Sequence, residues 1–324
     1  MRFHFVCAFQ SYKKTCYDDG LLTTISSMAQ EVSCAGSADT LRLETYLARI
    51  GIASAETADL NTLTRIMAAH SRAIAFENID VVLGKRISMA AEDVEAKLLD
   101  GGRGGYCFEQ NTLLRLALTA LGYRVRPLLC RVRWGKRADQ LSTFSHLALA
   151  VALAEKSTGD RSIVVEHLVD VGFAGTNSIA PVLLGSADPQ TLPEGQFRVV
   201  PESHVGGGDY TALQMLKREE WKSLYTFRTH ETAVEPDLVM SNWLSCTFPS
   251  SRFTNQFFTS LVVGDERHHI LNDSYVIRTL NGGDDPSTTV TTKITDTAQL
   301  VEILSSVFGL EFSAEEKGLG RYLA

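Results

Sequence analysis

One cysteine, Cys107, stands where a glycine-rich stretch becomes a predicted helix, in the segment RGGYCFEQN of residues 103–111. The first turn of a helix has unpaired backbone N–H groups and the positive end of the helix dipole, and both favour a thiolate over a thiol. The same N–H groups can stabilise an oxyanion. Since most lone cysteines are small buried apolar residues, the segment alone leaves both a nucleophile and a core residue open.

Two further residues have the types that a thiolate nucleophile needs, a base and a group that orients the base. His146 lies in the alternating segment TFSHLALAV, and Asp170 lies in the apolar segment LVDVGF. A histidine on an apolar strand is more often structural, but a buried carboxylate requires a cationic or donor partner. His146 is the economical partner, because an aspartate fixes a histidine tautomer and stabilises the imidazolium. The pattern therefore favours a triad of Cys107, His146 and Asp170.

The period of the apolar residues changes along the chain and indicates which elements position these groups. Up to Gly122 the apolar residues recur with helical spacing, and the helix that starts at Cys107 stops at this glycine. From Tyr123 the pattern alternates in short runs between polar turns, which predicts a barrel or a curled antiparallel sheet. The remainder mixes strands, one of them over residues 253–263, with a closing helix over Thr297–Phe308. The predicted fold class is therefore α+β.

Composition and charge exclude several classes of function. The chain has 324 residues and a formal net charge of −7 without a Lys/Arg-rich block, so we expect no nucleic-acid partner. No run reaches the ~18 apolar residues of a membrane span, so we expect no membrane partner either. The six cysteines form no CxxC pair and stand beside no histidine cluster with zinc-ligand spacing. Because no clear signal peptide is recognisable, we expect a cytoplasmic protein with free thiols and no metal site.

Five segments together resemble one family, the arylamine N-acetyltransferases. Their order and approximate spacing agree with the family pattern, and the resemblance covers roughly residues 40–312. The segments are AFENID (75–80), RGGYCFEQN (103–111), TFSHLALAV (143–151), LVDVGFAG (168–175) and NWLSCTFPSSRF (242–253). Two positions depart from the pattern. Ala174 stands where a second glycine is common, and Phe248 stands where many members carry a histidine.

The resemblance implies a three-part fold, with a helical bundle, a β-barrel and a C-terminal α/β lid around a catalytic core like that of the cysteine proteases. We accordingly expect four segments along the chain. They are an irregular N-terminal extension (1–38), a helical domain that carries the cysteine (39–122), a β-barrel domain that carries the histidine and the aspartate (123–228), and the lid (229–324).

The resemblance also implies a reaction, in which Cys107, His146 and Asp170 fall on the catalytic positions. Acetyl-CoA is the implied acyl donor, and arylamines, hydrazines or arylhydroxylamines are the implied acceptors. The implied mechanism is ping-pong, with an acetyl group carried on Cys107 between two half-reactions. The residues that we expect to bind substrate or coenzyme border the same motifs. They are Phe76, Tyr106, Thr143, Phe144, Gly172, Gly175, Ser250 and Phe253.

Two other classes of protein share part of this pattern. A hydrolase of the papain or transglutaminase type has the same order of Cys, His and Asp or Asn, so the triad alone does not separate it from a transferase. A non-catalytic binding protein could retain the fold, although the presence of all three triad residues argues against it. The contexts RGGYCFEQN and VDVGFAG favour the transferase.

Overall fold

The structure is a computed structural model. The residues that it describes are 41–55, 57–137, 139–156, 162–203, 207–280, 286–312 and 319–323. The irregular extension expected at residues 1–38 lies outside them. Within the described residues, no helix is both long and apolar enough to cross a membrane.

The first part of the described chain consists of helices around a shared apolar core. They are α1 (Leu43–Arg49), α2 (Leu60–Ala73), α3 (Ile79–Val82), α4 (Ala91–Glu95) with the π-helical turn Ala96–Asp100, and α5 (Cys107–Ala120). Helix α2 begins at Leu60 because Asp59 caps it, accepting the N–H of Thr62 at 2.8 Å on its Oδ1. Leu63 and Leu114 are fully buried between these helices.

Helix α5 begins at Cys107, as the sequence predicted. Its start is fixed by Glu109, whose Oε2 accepts the N–H of Tyr106 at 3.0 Å. The helix ends before Leu121, and Gly122 then takes a φ of +87°. This left-handed conformation favours glycine, which explains why the helix stops here.

The middle part is an antiparallel sheet of eight strands. They are β2 (Arg124–Val132), β3 (Phe144–Lys156), β4 (Ser162–Val169), β5 (Val182–Leu183), β6 (Gln190–Leu192), β7 (Gly195–Glu202), β8 (Tyr210–Lys217) and β9 (Glu220–Phe227). The strand order is β5-β4-β3-β2-β9-β8-β7-β6. The sheet curls until β5 lies close to β7, which makes a nearly closed barrel. The predicted α+β class is therefore confirmed.

The two faces of β3 contribute to different cores, because side chains alternate across a strand. Ala148 and Ala150 lie in the apolar interior of the barrel. Leu149 and Val151 pack against the helices of the first part. His146 shares the face of Ala148, so the alternation directs its ring toward the barrel side.

The last part adds a five-stranded sheet that also takes in a strand from the helical part. Its elements are α6 (Glu235–Thr247), α7 (Arg252–Asn255), β10 (Phe258–Val263), β11 (Glu266–Leu271), β12 (Ser274–Thr279), β13 (Thr289–Lys293) and α8 (Thr297–Phe308), with 3₁₀ turns at Pro286–Thr288 and Leu319–Tyr322. The sheet order is β1-β10-β11-β12-β13, where β1 is Phe76–Glu77. The domain boundaries expected after residues 122 and 228 stay predictions.

The start of this last part differs from the sequence prediction. The expected strand over residues 253–263 begins only at Phe258, because residues Arg252–Asn255 form α7. Ser251 caps this short helix, and its Oγ accepts the N–H of Phe253 at 3.3 Å. The alternation of apolar residues predicted one continuous strand, because it does not register the Ser251 cap that favours a helical turn here.

Two leucines of α2 provide a test of where the core lies. We expect Leu63→Ala to lower the free energy of unfolding by about 2–5 kcal/mol, because the side chain is fully buried. Leu60→Ala should cost less than about 1 kcal/mol, since Leu60 is 41% exposed. Urea unfolding of both variants measures the difference. Equal losses at the two positions would contradict the packing of α2.

Candidate active site

Cys107 lies at the point where helix, barrel and the loop after Asp170 meet. It is 1% exposed, and its Sγ lies 3.9 Å from the carbonyl oxygen of Ser145, the residue before His146. The segment before it packs on β1, where a side chain at Gly104 would collide with the carbonyl oxygen of Ala75. The glycines of the RGG stretch therefore let the chain approach β1 closely and present Cys107 at the first turn of α5.

His146 and Asp170 form a buried hydrogen-bonded pair beside this cysteine. The Nε2 atom of His146 lies 2.8 Å from Oδ2 of Asp170. The two side chains are 3% and 6% exposed. His146 is near the start of β3, and Asp170 follows the last residue of β4, which pairs with β3. The pairing of two neighbouring strands therefore brings the two residues together although they are 24 positions apart.

The charges of this pair stabilise each other. Burial alone would raise the pKa of Asp170, but the charge of His146 and hydrogen bonds from His146, Asn111 and Gly172 hold it below its usual range. Burial alone would lower the pKa of His146, but the charge and hydrogen bond of Asp170 raise it, with a smaller contribution from Cys107. Both shifts favour an imidazolium paired with a carboxylate beside the sulfur of Cys107.

Asn111 ties α5 to both strands of the pair. Its Nδ2 donates to the carbonyl oxygen of Leu147 at 2.7 Å and to Oδ1 of Asp170 at 2.9 Å. Its Oδ1 accepts the N–H of Val171 at 3.2 Å. Asn111 lies one helical turn after Cys107, so its contacts fix the helix start against the histidine and the aspartate. Asn111 was not among the residues predicted for the site, although its position four residues after Cys107 places it on the same helix face.

Two aromatic rings pack on the imidazole. The ring centroids of Phe173 and Tyr225 lie 5.1 Å and 4.8 Å from that of His146. Both residues lie in the apolar interior of the barrel. They exclude water from one side of the imidazole and hold its orientation. Sequence reasoning did not identify Tyr225, because it lies on β9, far from the triad motifs in the chain.

A cluster of opposite charges supports the segment below Cys107. Lys97 Nζ lies 2.7 Å from Glu109 Oε1 and 2.8 Å from Asp80 Oδ2. Arg103 Nη2 lies 2.7 Å from Glu77 Oε1. These side chains are at least four-fifths buried, so the ion pairs are weakly screened by solvent. The cluster connects β1, the π-helical turn and the first turn of α5.

Four of the predicted binding residues share an environment with the cysteine. Phe76, Tyr106 and Phe253 lie with Cys107 in one apolar cluster. The ring of Phe253 stands edge-on to that of Tyr106, with centroids 5.2 Å apart. The hydroxyl of Tyr106 donates to the side chain of Asn242 on α6. Gly172 is the fourth, and a Cβ at this position would lie 2.7 Å from the Cα of Cys107.

The other four predicted binding residues lie in different surroundings. Thr143 and Ser250 are exposed. Phe144 is half-buried beneath the guanidinium of Arg131, whose carbon atom lies 3.8 Å from the ring centroid. Gly175 takes a φ of +83° in the turn after Asp170. The structure thus brings the triad and Phe76, Tyr106, Gly172 and Phe253 together, and the binding roles of all eight residues stay predictions.

The described residues contain no group of three or more His, Cys, Asp or Glu side chains that could hold a metal ion. The cysteines within the described ranges, Cys107, Cys130 and Cys246, are buried and free. The chemistry that this arrangement supports is therefore that of a buried thiol beside an imidazolium–carboxylate pair, with backbone N–H groups of a helix start nearby.

The matches with known proteins agree with this geometry. A family model described as N-acetyltransferase matches residues 59–317. An arylamine N-acetyltransferase from Mycolicibacterium smegmatis is 37% identical over 227 residues, which cover 69% of this chain and 78% of that protein. The chain belongs to the arylamine N-acetyltransferase family. It is thus an enzyme of the acyltransferase class.

Further members of the arylamine N-acetyltransferase family agree in sequence and in fold. One from Escherichia coli K12 is 32% identical over 268 residues, which cover 83% of this chain and 88% of that protein. The structure of the Mycobacterium marinum arylamine N-acetyltransferase in complex with CoA superposes with a TM-score of 0.74 at 33% identity. The matched region covers 87% of this chain and 98% of the M. marinum chain. The family fold therefore extends over nearly all of the described residues.

Gly172 provides a test of the contact between the loop and the cysteine. We expect Gly172→Ala to lower N-acetyltransferase activity by roughly 10²-fold, because the new Cβ would displace Cys107 and Asn111 from a geometry that tolerates little movement. The matched control is Gly264→Ala, in a turn with φ +58° and no atom within 4 Å of the new Cβ. It should lose about 1 kcal/mol of stability and keep its activity. Full activity in Gly172→Ala would contradict the close approach.

Proposed function

We propose that the enzyme transfers an acetyl group from acetyl-CoA to the nitrogen of arylamines, hydrazines or arylhydroxylamines, by a ping-pong mechanism through acetyl-Cys107. The observation that carries the proposal is the buried Cys107 thiol at the start of α5, beside the hydrogen-bonded His146–Asp170 pair. The printed names of the relatives, and the CoA complex of the M. marinum protein, support the choice of acceptor and donor.

In the first half-reaction the Cys107 thiolate attacks the thioester carbonyl carbon of acetyl-CoA. The backbone N–H groups at the start of α5 stabilise the negative charge that develops on the carbonyl oxygen. The bond between that carbon and the CoA sulfur then breaks, and the His146 imidazolium gives its proton to the departing thiolate. CoA leaves as a neutral thiol, and the enzyme carries an acetyl group on Cys107 with a neutral His146.

In the second half-reaction the amine nitrogen attacks the carbonyl carbon of acetyl-Cys107. Neutral His146 takes up the proton that the nitrogen loses, and Asp170 stabilises the resulting imidazolium. The carbon–sulfur bond breaks, which returns the Cys107 thiolate and releases the amide. Arylamines are weak bases and are unprotonated nucleophiles at neutral pH, so this step needs no prior deprotonation of the acceptor.

The apolar cluster around the cysteine suits an aromatic acceptor. Phe76, Tyr106 and Phe253 line this cluster with Cys107, and an aromatic ring packs favourably against such faces and edges. A charged aliphatic amine would lose its hydration there without a carboxylate partner from these three side chains. This supports arylamines over alkylamines as acceptors.

Acetyl-CoA also requires donors for its phosphate groups. The Gly172–Thr176 turn and the Ser250–Arg252 segment are our candidates for the donors that hold the CoA phosphates. The binding roles of Thr143 and Phe144, and the cytoplasmic location, are likewise predictions.

The intact mass of the protein after incubation with acetyl-CoA tests the proposal. Without an amine we expect one added acetyl group, because acetyl-Cys107 has no acceptor, and an arylamine should then remove it. Cys107→Ser should show no adduct, whereas Cys246→Ser, which changes another buried cysteine, should still gain one. No adduct with acetyl-, propionyl- or malonyl-CoA would contradict the transferase and favour the hydrolase or the binding protein.

A further inference from the structure

The loop from Asp170 to Asn177 touches every member of the proposed triad. Asp170 holds His146, and the Gly172 N–H donates to Oδ1 of Asp170 at 2.8 Å. Gly172 also packs against Cys107, and Phe173 lies on the ring of His146. A shift of this loop would therefore disturb the nucleophile, the base and the carboxylate together.

The loop is held from outside by a buried arginine of the C-terminal sheet. Arg267 on β11 donates from Nη1 to Oδ1 of Asn177 at 2.7 Å, and from Nη2 to the carbonyl oxygen of Asn177 at 2.9 Å. Asn177 in turn donates from Nδ2 to the carbonyl oxygen of Asp170 at 3.3 Å. The side chain of Arg267 is only 3% exposed, so these contacts are desolvated.

Glu194 compensates the buried charge of Arg267. Its Oε1 lies 3.4 Å from Nη2 of Arg267 and accepts the N–H of Ile179 at 2.9 Å. Glu194 is the residue before β7, and its side chain is 2% exposed. A charged pair this deeply buried stabilises a fold less than apolar packing usually does. This favours a positioning role for the arginine over a role in stability alone.

A second arginine, on the neighbouring strand, donates a hydrogen bond to the same loop. Arg278 on β12 is the cross-strand partner of Arg267, and its Nη2 donates to the carbonyl oxygen of Gly175 at 2.8 Å. Two like charges in cross-strand register repel each other. Both guanidinium groups nevertheless donate to backbone carbonyl oxygens of the same loop, and Glu194 lies beside that of Arg267.

We propose that Arg267 and Arg278 form a clasp through which the C-terminal sheet positions the 170–177 loop, and with it the His146–Asp170 pair, for catalysis. Arg267 is the central positioning residue, because its fork reaches both the side chain and the backbone of Asn177. The inference rests on the proposed function only in assuming that His146 and Asp170 serve Cys107.

The experiment compares two charge-neutral double variants. The clasp variant, Arg267→Met with Glu194→Gln, removes the contacts of Arg267 with Asn177 and neutralises both members of the buried ion pair, while Arg278 keeps its contact with Gly175. Arg133→Met with Glu202→Gln is the matched control, since Arg133 is also buried, lies 3.0 Å from Glu202, and donates to the carbonyl oxygens of Arg137 and Gln140 instead. The readouts are the rate of Cys107 acetylation by acetyl-CoA, the pH dependence of Cys107 alkylation by iodoacetamide, and the melting temperature.

We expect the clasp variant to acetylate at least 10-fold more slowly than wild type, since small displacements of reacting groups have large effects on rate. Its alkylation at pH 6 should also slow, because a misplaced Asp170 stabilises the imidazolium less. Arg267→Lys should fall between, as one ammonium cannot replace the guanidinium fork. The control variant should keep the wild-type rate and pH profile even if its melting temperature falls.

Wild-type rates and pH profile in a folded clasp variant would overturn the inference. If that variant does not fold, Arg278→Met decides the question, because it removes the contact with Gly175 and leaves Arg267 and Glu194 in place. It should slow acetylation several-fold, and an unchanged rate and pH profile would again overturn the clasp. Failure of the proposed function has a different signature. In that case wild type itself gains no acetyl group, while the alkylation profiles still compare the clasp variant with its control.

Discussion

The structure depends on one constraint, which is that the carboxylate of Asp170 is buried and must stay charged. A buried carboxylate without partners is costly, and this one has three, the imidazole of His146, the amide of Asn111 and the N–H of Gly172. Each partner comes from a different element, namely β3, α5 and the loop after β4. Satisfying Asp170 therefore fixes the relative positions of the three elements that carry the site.

The remaining architecture maintains this arrangement from two sides. The barrel packs Phe173 and Tyr225 on the imidazole, and the charged cluster around Lys97 supports the start of α5 under Cys107. The C-terminal sheet reaches the loop through Arg267. In the proposed mechanism the Cys107 sulfur attacks and His146 gives up and takes back one proton, while Asp170 stays charged beside it, so the three groups must keep their positions. A site whose members belong to separate elements can meet this need only if those elements are packed rigidly together.

Sequence reasoning identified those parts of the site that local patterns determine. The helix start at Cys107 follows from glycines and a helical period, and the burial of Asp170 follows from its apolar neighbours. Helix α6 was not predicted, because its polar and apolar residues lie on the opposite faces from the usual ones. Asn242 is buried against Tyr106, whereas Met240 and Trp243 are exposed. The loop contacts of the C-terminal sheet were likewise inaccessible, because they join positions about ninety residues apart that no periodicity relates.

The protonation state of His146 at pH 8, measured by ¹⁵N NMR of histidine-labelled protein, tests the central claim most directly. His146→Gln assigns the signal among the eight histidines. An ordinary histidine, with a pKa near ~6.5, is neutral at this pH. Because Asp170 raises the pKa of His146, we expect an imidazolium in the wild type. In Asp170→Asn the effect of burial, which lowers the pKa of His146, outweighs the smaller effect of Cys107, so the ring should be neutral. A neutral His146 in the wild type, or an imidazolium that persists in Asp170→Asn, would contradict the account.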